Sequence, residues 1–396
     1  MLRLGGILCC VALAAPLPAQ ETLLILPFAN PARVRNLDWI GDSAAGSLVD
    51  SFAAEGVSVV PAEDCDQMLR EMGVRRYARL TQASAMEIAV NLNATQVLYG
   101  EFEFTAAPPG GASKGVLRLN ARILDVRRVR RVGRFSLSGP LEKLSSLQNT
   151  LEWQALRAAA PGFSASEESF RQSRPAVRLD ALESYVRGVL AQSTDQKHRL
   201  LTTAARLAPG FSHPCFQLGR LNLFTLKNYQ AAAGWLEKVS PSDIHYRESL
   251  FYLGLARYHT GEFAASAEVL RKLSEMVPLP AVLNNLGAAL IRLNDPGAAE
   301  AFKKAIETNP ADPDFHFNAG YALWRRGDFE GAAGHFRASL QRRAEDEIAT
   351  RMLGRCLQQQ GYRPGDLRVE ALERLKTEYN ESAWLALKAM LAPKQQ

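Results

Sequence analysis

The chain has 396 residues, 47% apolar and 22% charged, which allows two or three domains with their own cores and excludes a disordered chain. Lys and Arg outnumber Asp and Glu by 47 to 41, for a net charge of +6 and a pI near 9.1. That is a mild attraction to anionic surfaces, too weak to specify a nucleic-acid binder.

The first twenty residues, MLRLGGILCCVALAAPLPAQ, carry one arginine, an uncharged apolar run and then Ala-Pro-Leu-Pro-Ala. This is the pattern of a secretory signal peptide over 1–19, cleaved after about Ala19. Neither Cys9 nor Cys10 follows the small residues a bacterial lipoprotein signal requires, which argues against lipid anchoring. An uncleaved anchor helix is the alternative. After cleavage Cys65, Cys215 and Cys356 remain, an odd, widely spaced set that is no disulfide framework. No other run reaches spanning length, so the expectation is a periplasmic or secreted protein with no transmembrane segment after signal removal. Its positive charge then meets headgroups, wall polymers and acidic proteins before nucleic acid.

Leu23–Pro27 is a compact apolar run, read as a buried strand. A helix over Asp42–Glu55 follows Gly41-Asp42-Ser43, with Asp42 or Ser43 placed to cap it. Val57–Val60 is the next strand, and helices follow near Ala62–Met72 and Thr81–Leu92. Strands come next at Gln96–Phe104, Val116–Val126 and Val132–Leu137, with a Pro-Pro-Gly-Gly loop at 108–111. The alternation through Leu117–Ile123 marks a strand with one wet face. A helix over Leu141–Ala159 closes this half. The order β-α-β-α-α-β-β-β-α predicts an α/β (α+β) mixed-sheet layer domain over 20–160. Residues 161–179, polar and proline-bounded, read as a linker at which the halves can hinge.

Four stretches, ILPFAN, IGDSAAGSLVDSF, AVNLNATQVLYGEFEF and RLNARILDV, give this half a resemblance to the N-terminal domain of the TolB-like family of bacterial envelope proteins. The resemblance implies a domain used for assembly rather than catalysis, and so a second protein contact. Where that family has a Gly-containing, weakly charged turn, this chain has Arg127-Arg128-Val129-Arg130-Arg131. These four arginines are either a solvated hairpin end or a contact for an anionic envelope partner. No aromatic is interleaved for base stacking, which argues against nucleic acid.

From residue 180 the period changes. Glycines at 188, 219, 254, 287, 320 and 354 are spaced by 31, 35, 33, 33 and 34 residues. With Gly261-Glu-Phe263, Ala298, Phe302, Pro310 and Gly327-Asp-Phe329, this spacing is identified as that of the tetratricopeptide repeat family. The resemblance implies an all-α solenoid of about six helix pairs over 180–378, with a capping helix, Glu381–Met390, and a tail in 379–396.

Gly41-Asp42-Ser43 near the N-terminus and Asp195-x-x-His198 together match the signature of a class of serine esterases. Here the strand ends at Pro27 and Ser43 comes sixteen residues later. Asp195 and His198 fall in the first repeat, in a different domain. A triad needs its base within hydrogen-bond reach on a rigid scaffold, so capping is preferred and a Ser-dependent hydrolase is the less favoured reading. The six histidines, all in the repeats, lack zinc-site spacing, and Pro109–Gly115 lacks the Walker pattern. No cofactor, metal or catalytic residue is expected.

The repeat consensus projects the inner-helix positions into a groove: Arg220, Phe224, Tyr258, His259, Asn284, Arg292, Tyr321, Trp324, Arg325, Arg351 and Arg355, with Phe216, Phe251 and Phe317 divided between groove and core. Aromatics and arginines dominate binding hot spots, and peptides with acidic character suit them. Asn284-Asn285-Leu-Gly287 is commonplace in such repeats and is assigned no role. The reading is an exported, non-enzymatic interaction scaffold of the cell envelope that binds protein or peptide partners in the groove. The alternative is a ligand-sensing α/β domain whose state is relayed to the repeats.

Overall fold

The computed structural model describes residues 22–381 apart from 35, 109–112, 161, 364, 367 and 368. The expected signal peptide and nearly all of the expected capping helix lie outside the described residues. Two compact units are present: Met1–Glu103, Arg118–Leu137 and Leu151–Ser164 form one, and Phe104–Leu117, Ser138–Thr150 and Ala165–Gln396 the other.

The elements of the N-terminal half come in the expected order: β1 (Thr22–Ile25), α1 (Trp39–Ala54), β2 (Ser58–Val59), α2 (Ala62–Glu71), α3 (Gln82–Asn91), β3 (Gln96–Ala106), β4 (Gly115–Asp125), β5 (Arg130–Pro140), a 3-10 turn (Leu141–Lys143) and α4 (Leu144–Ala159). The sheet runs β2-β1-β3-β4-β5, and β1 is parallel to both neighbours, with Leu23 opposite Val59 and Leu24 opposite Val97. A central parallel strand is covered on both faces, which is why Leu23 through Leu26 form one unbroken buried run. In β4 the alternate residues Leu117, Leu119, Ala121 and Ile123 are buried, and the alternation breaks at Leu124, which is buried as well.

The Gly-Asp-Ser stretch serves this fold. A side chain on Gly41 would place its Cβ 2.3 Å from the Phe28 carbonyl oxygen. Helix α1 starts at Trp39, three residues earlier than expected, so neither Asp42 nor Ser43 caps it. Asp42 instead accepts hydrogen bonds from Tyr77 Oη at 2.6 Å and Arg76 Nε at 3.0 Å. Arg76 also pairs with Asp66. Burial raises the Asp42 carboxyl above its ordinary range, against the pull of Tyr77 and Arg76. Ser43 is only 4% exposed.

The expected linker contains a short helix, α5 (Glu167–Ser173), capped by Ser166 and seated by buried Phe170. Then follow α6 (Leu179–Leu190), α7 (Thr194–Leu207), α8 (His213–Arg220) continued by a π turn (Leu221–Thr225), α9 (Tyr229–Leu236), α10 (Tyr246–His259), α11 (Phe263–Met276), α12 (Pro280–Arg292), α13 (Gly297–Thr308), α14 (Pro313–Arg325), α15 (Phe329–Arg342) and α16 (Glu347–Leu357). The periodic glycines sit where the second helix of a pair crosses the first. An added Cβ would come within 2.4 Å of Leu236 at Gly219, 2.6 Å of Leu270 at Gly254 and 2.7 Å of Phe302 at Gly287. Around Gly354 nothing lies within 4 Å.

That difference marks the end of the pairing. There are five helix pairs and a single α16 among the described residues, and residues 372–381 form no helix, where the sequence reading carries a sixth pair to 378. No described helix is long and apolar enough to cross a membrane. Cys65, Cys215 and Cys356 are buried free thiols. Burial pushes Cys65 up to about 12 and Cys356 to about 11, which keeps both protonated and unreactive.

Candidate functional site

The first helices of the later repeats, α10, α12, α14 and α16, present polar side chains at positions buried from solvent. Asn284 and Asn318 are 0% exposed and Asn285 is 1% exposed. An amide buried so completely must find partners. These asparagines find them in the main chain at Arg374 and Lys376, in a later segment of the chain.

Asn318 accepts from Arg374 N–H at 2.8 Å and donates to the Arg374 carbonyl at 2.8 Å, and Asn284 donates to the same carbonyl at 2.8 Å. One step along, Asn285 accepts from Lys376 N–H at 2.8 Å and donates to its carbonyl at 2.7 Å. Asn318 also donates to Asn284, and Asn284 to Asn285, so the three amides hold one another in orientation. Residues 374 and 376 are thus gripped on the same edge of an extended chain, as a neighbouring strand would grip them. Further back, Tyr321 Oη donates to the Val369 carbonyl at 2.6 Å and Trp324 Nε1 to the Gln360 carbonyl at 2.8 Å.

Side chains of the segment are bound as specifically. Arg374 lies 3.6 Å above the Phe317 ring, with hydrogen bonds to Asp346 at 2.8 Å and Asp314 at 3.2 Å. Lys376 Nζ meets Asp312 at 2.9 Å and Asp314 at 2.7 Å, above the Phe315 ring. Asp312 and Asp346 are also the N-caps of α14 and α16, so their carboxylates are fixed before a ligand arrives. Burial works to raise Asp314 and Asp346. The Lys376 bond at the first and the Arg374 bond at the second outweigh it and hold both below the usual carboxylate range.

Glu373 is accommodated less well. Its side chain is 0% exposed, with Arg292 at 3.8 Å and Arg325 at 3.9 Å. The Tyr258 hydroxyl is directed at the same carboxylate, but neither oxygen has a donor at full hydrogen-bond geometry. Burial therefore prevails over the arginines and raises the Glu373 carboxyl. Val369 is fully buried, Leu372, Leu375 and Tyr379 pack on the repeat core, and Glu381 pairs with Arg247 at 2.8 Å.

Of the groove residues expected from sequence, Tyr258, Arg292, Tyr321, Trp324, Arg325 and Arg355 all meet this segment, Arg355 through Asp366 at 3.1 Å. Four have no described contact with it. Arg220 lies 5.7 Å over Phe216, Phe224 packs edge-on to Tyr252, His259 stacks on Tyr229 at 4.5 Å, and Arg351 is exposed on α16. Burial, then Lys227, lowers the His259 pKa. Phe251 and Phe317 are core residues whose faces floor the groove, whereas Phe216 stacks on His245 at 4.3 Å. Trp324 is 0% exposed and meets the segment through its ring N–H and edge-on against the Tyr362 ring at 6.1 Å.

The sequence reading projected Asn284 into the groove but assigned it and Asn285 no role, and it passed over Asn318 and the aspartates 312, 314 and 346. Asn285 and Asn318 stand two residues before the repeat glycines 287 and 320, and amides on otherwise apolar inner helices were the available signal. A mainly acidic occupant is not what the site holds, because two of its three central charges are basic.

Elsewhere, Arg127, Arg128, Arg130 and Arg131 are exposed at the β4–β5 turn. Arg128 and Arg130 are tied to Asp125, at 3.3 and 3.8 Å. Asp195 and His198 lie on α7, in the other compact unit from Ser43. Among the described residues no three metal-ligating side chains of a single unit converge. A cleft bounded by Arg79, Tyr99, Glu101 and Arg122 holds about 20 Å³, room for about one water.

A family model described as tetratricopeptide repeat matches residues 284–348 and 323–361, the stretch that carries most of this groove. No curated protein matches the chain. Similar solved structures include YrrB, described as a TPR protein with an unusual peptide-binding site, at 16% identity over 43% of this chain and 91% of that one, with a TM-score of 0.40. MamA from Desulfovibrio magneticus RS-1 is similar at 22% identity over 41% of this chain and 92% of its own, with a TM-score of 0.37.

Proposed function

We propose that the protein is an exported interaction scaffold of the bacterial cell envelope, and that its repeat groove binds an extended segment of a partner protein. One observation carries this reading: five hydrogen bonds join groove asparagines to the main chain of residues 374 and 376 in an extended segment. Such bonds supply affinity for any extended chain, while the pockets around them select side chains. Tetratricopeptide repeats in this half support protein or peptide partners. Export rests on the N-terminal signal pattern. The TolB-like resemblance and the exposed arginine turn suggest a second contact, through the α/β half. A cleft of about 20 Å³ gives no support to small-ligand sensing, and a buried Ser43 gives none to a hydrolase.

The test is affinity purification of tagged full-length protein from envelope fractions. It compares wild type, an Arg374→Glu/Lys376→Glu chain whose own segment no longer fits, and that chain with Asn318→Ala added. A partner enriched by the double variant and lost from the triple one supports the reading. Recovery of the same proteins from all three contradicts groove binding, and recovery of the protein only in the cytosol contradicts export.

A further inference from the structure

We infer that the groove of α10–α16 recognises, in a separate partner, an extended peptide with the charge order acid-base-x-base, and that Glu373-Arg374-Leu375-Lys376 is an internal copy of that ligand which keeps the site closed until the partner displaces it. This rests on the proposed groove-binding function and specifies its ligand.

The charge order follows from fixed positions. Phe317 and Asp346 form a slot for a planar cation at 374, where Arg374 stacks at 3.6 Å. Asp312 and Asp314 form a slot for a compact cation two residues on. Both capping aspartates are held by their helix N-termini whether or not the site is filled. Arg292 and Arg325 supply positive charge at 373. Main-chain bonds at 374 and 376 fix the register, and a slip by one residue would bring one charge opposite its own sign and take the other two away from their counter-charges.

The internal copy fits imperfectly, and that makes it displaceable. The Glu373 side chain is fully buried, yet its nearest cations stand at 3.8 and 3.9 Å and neither oxygen has a well-formed hydrogen bond. A segment tethered to α16 tolerates such a defect because its effective concentration is on the order of millimolar. A partner in solution lacks that advantage and competes by filling the acid pocket better. The segment's irregular, extended backbone, residues 372–381, can leave without unfolding a helix.

The probe is a fluorescein-labelled synthetic peptide of residues 369–381, titrated by anisotropy into the full-length chain. Wild type should bind it at least tenfold more weakly than Arg374→Glu/Lys376→Glu, in which the groove residues are untouched and the internal copy is expelled. A second opened chain, Glu373→Lys, guards against misfolding in the first, and circular dichroism confirms the helices of each. A peptide carrying Arg374→Glu and Lys376→Glu should not bind the opened chains. Two results overturn the inference: folded opened chains that bind no peptide, or that bind the native and charge-reversed peptides equally. If partners are captured in an Asn318-dependent way while the peptide fails, the charge order is wrong and groove binding stands. If the peptide binds as expected but no partner is captured, the ligand order stands and the scaffold function fails.

Discussion

The two halves use their polar residues in opposite ways. In the α/β half, Gly41, Asp42 and Ser43 resemble catalytic machinery in sequence, yet all three serve the fold. Gly41 lets α1 approach Phe28, Asp42 gathers Tyr77 and Arg76, and Ser43 is buried. In the repeats, Asn284, Asn285 and Asn318 look ordinary in sequence, yet they hold the main chain of another segment. A polar residue acquires a binding role when the fold buries it facing a surface that something else can cover. Motif identity alone does not separate the two cases.

The contrast can be broken at single residues. The largest effect is expected at Gly41→Ala, because its Cβ would meet backbone at 2.3 Å, which cannot swing aside. A loss of about 3 kcal/mol or more in urea unfolding is expected, with Ser43→Ala causing no loss of ester hydrolysis in the same preparation. Next is Asn318→Ala, which leaves the buried Arg374 N–H without its acceptor. It should weaken docking of the segment by about 1–3 kcal/mol, seen as faster limited proteolysis within 369–381 while the α/β unit is cut no faster. Smaller and opposite in sign is Gly354→Ala. Nothing lies within 4 Å of that glycine, so alanine's better helix propensity should stabilise α16 by up to ~1 kcal/mol, whereas Gly287→Ala, against Phe302, should destabilise.

The smallest expected effect is that of pH. Burial raises Glu373 in the docked segment, so the docked form holds its proton more tightly than the released form. Its contribution is complete below the ordinary glutamate range, about pH 4, and is lost as pH rises through the raised value. Asp314 and Asp346 are held below their ordinary range, so their contributions are complete above about pH 4 and are lost only in stronger acid. From pH 5 to pH 8 docking should weaken in wild type and stay level in Glu373→Gln. The groups facing Glu373 there are Arg292, Arg325, Tyr258 and Tyr321, and burial raises both tyrosines further above that window. A wild-type chain whose segment protection is independent of pH would contradict the account.

The order of elements in the α/β half was legible because strand alternation and helical periodicity are local signals, as in Leu117–Ile123 and Leu23–Leu26. The glycine period revealed the repeats because each glycine answers a local crossing of two helices. Of the inner-helix positions, Tyr258, Arg292, Tyr321, Arg325 and Arg355 meet the chain's own later segment. What the sequence hid was non-local. Asn284 meets Arg374 at a separation of 90 residues, and no spacing rule links them. The stretch 363–378 could be extrapolated as a sixth pair because the period predicts its position. Residues 372–381 instead form no helix, and the sequence signal upstream of them is Pro364-Gly365, a pair that breaks helices.

The central claim is that the groove grips an extended main chain at residues 374 and 376. Hydrogen exchange of the full-length protein, followed by mass spectrometry with overlapping fragments across 369–381, tests it most directly. The account predicts slow exchange at Arg374 and Lys376 in wild type and fast exchange there in Asn318→Ala, with α12 and α14 protected in both. Fast exchange of 369–381 in wild type, indistinguishable from the variant, would contradict it.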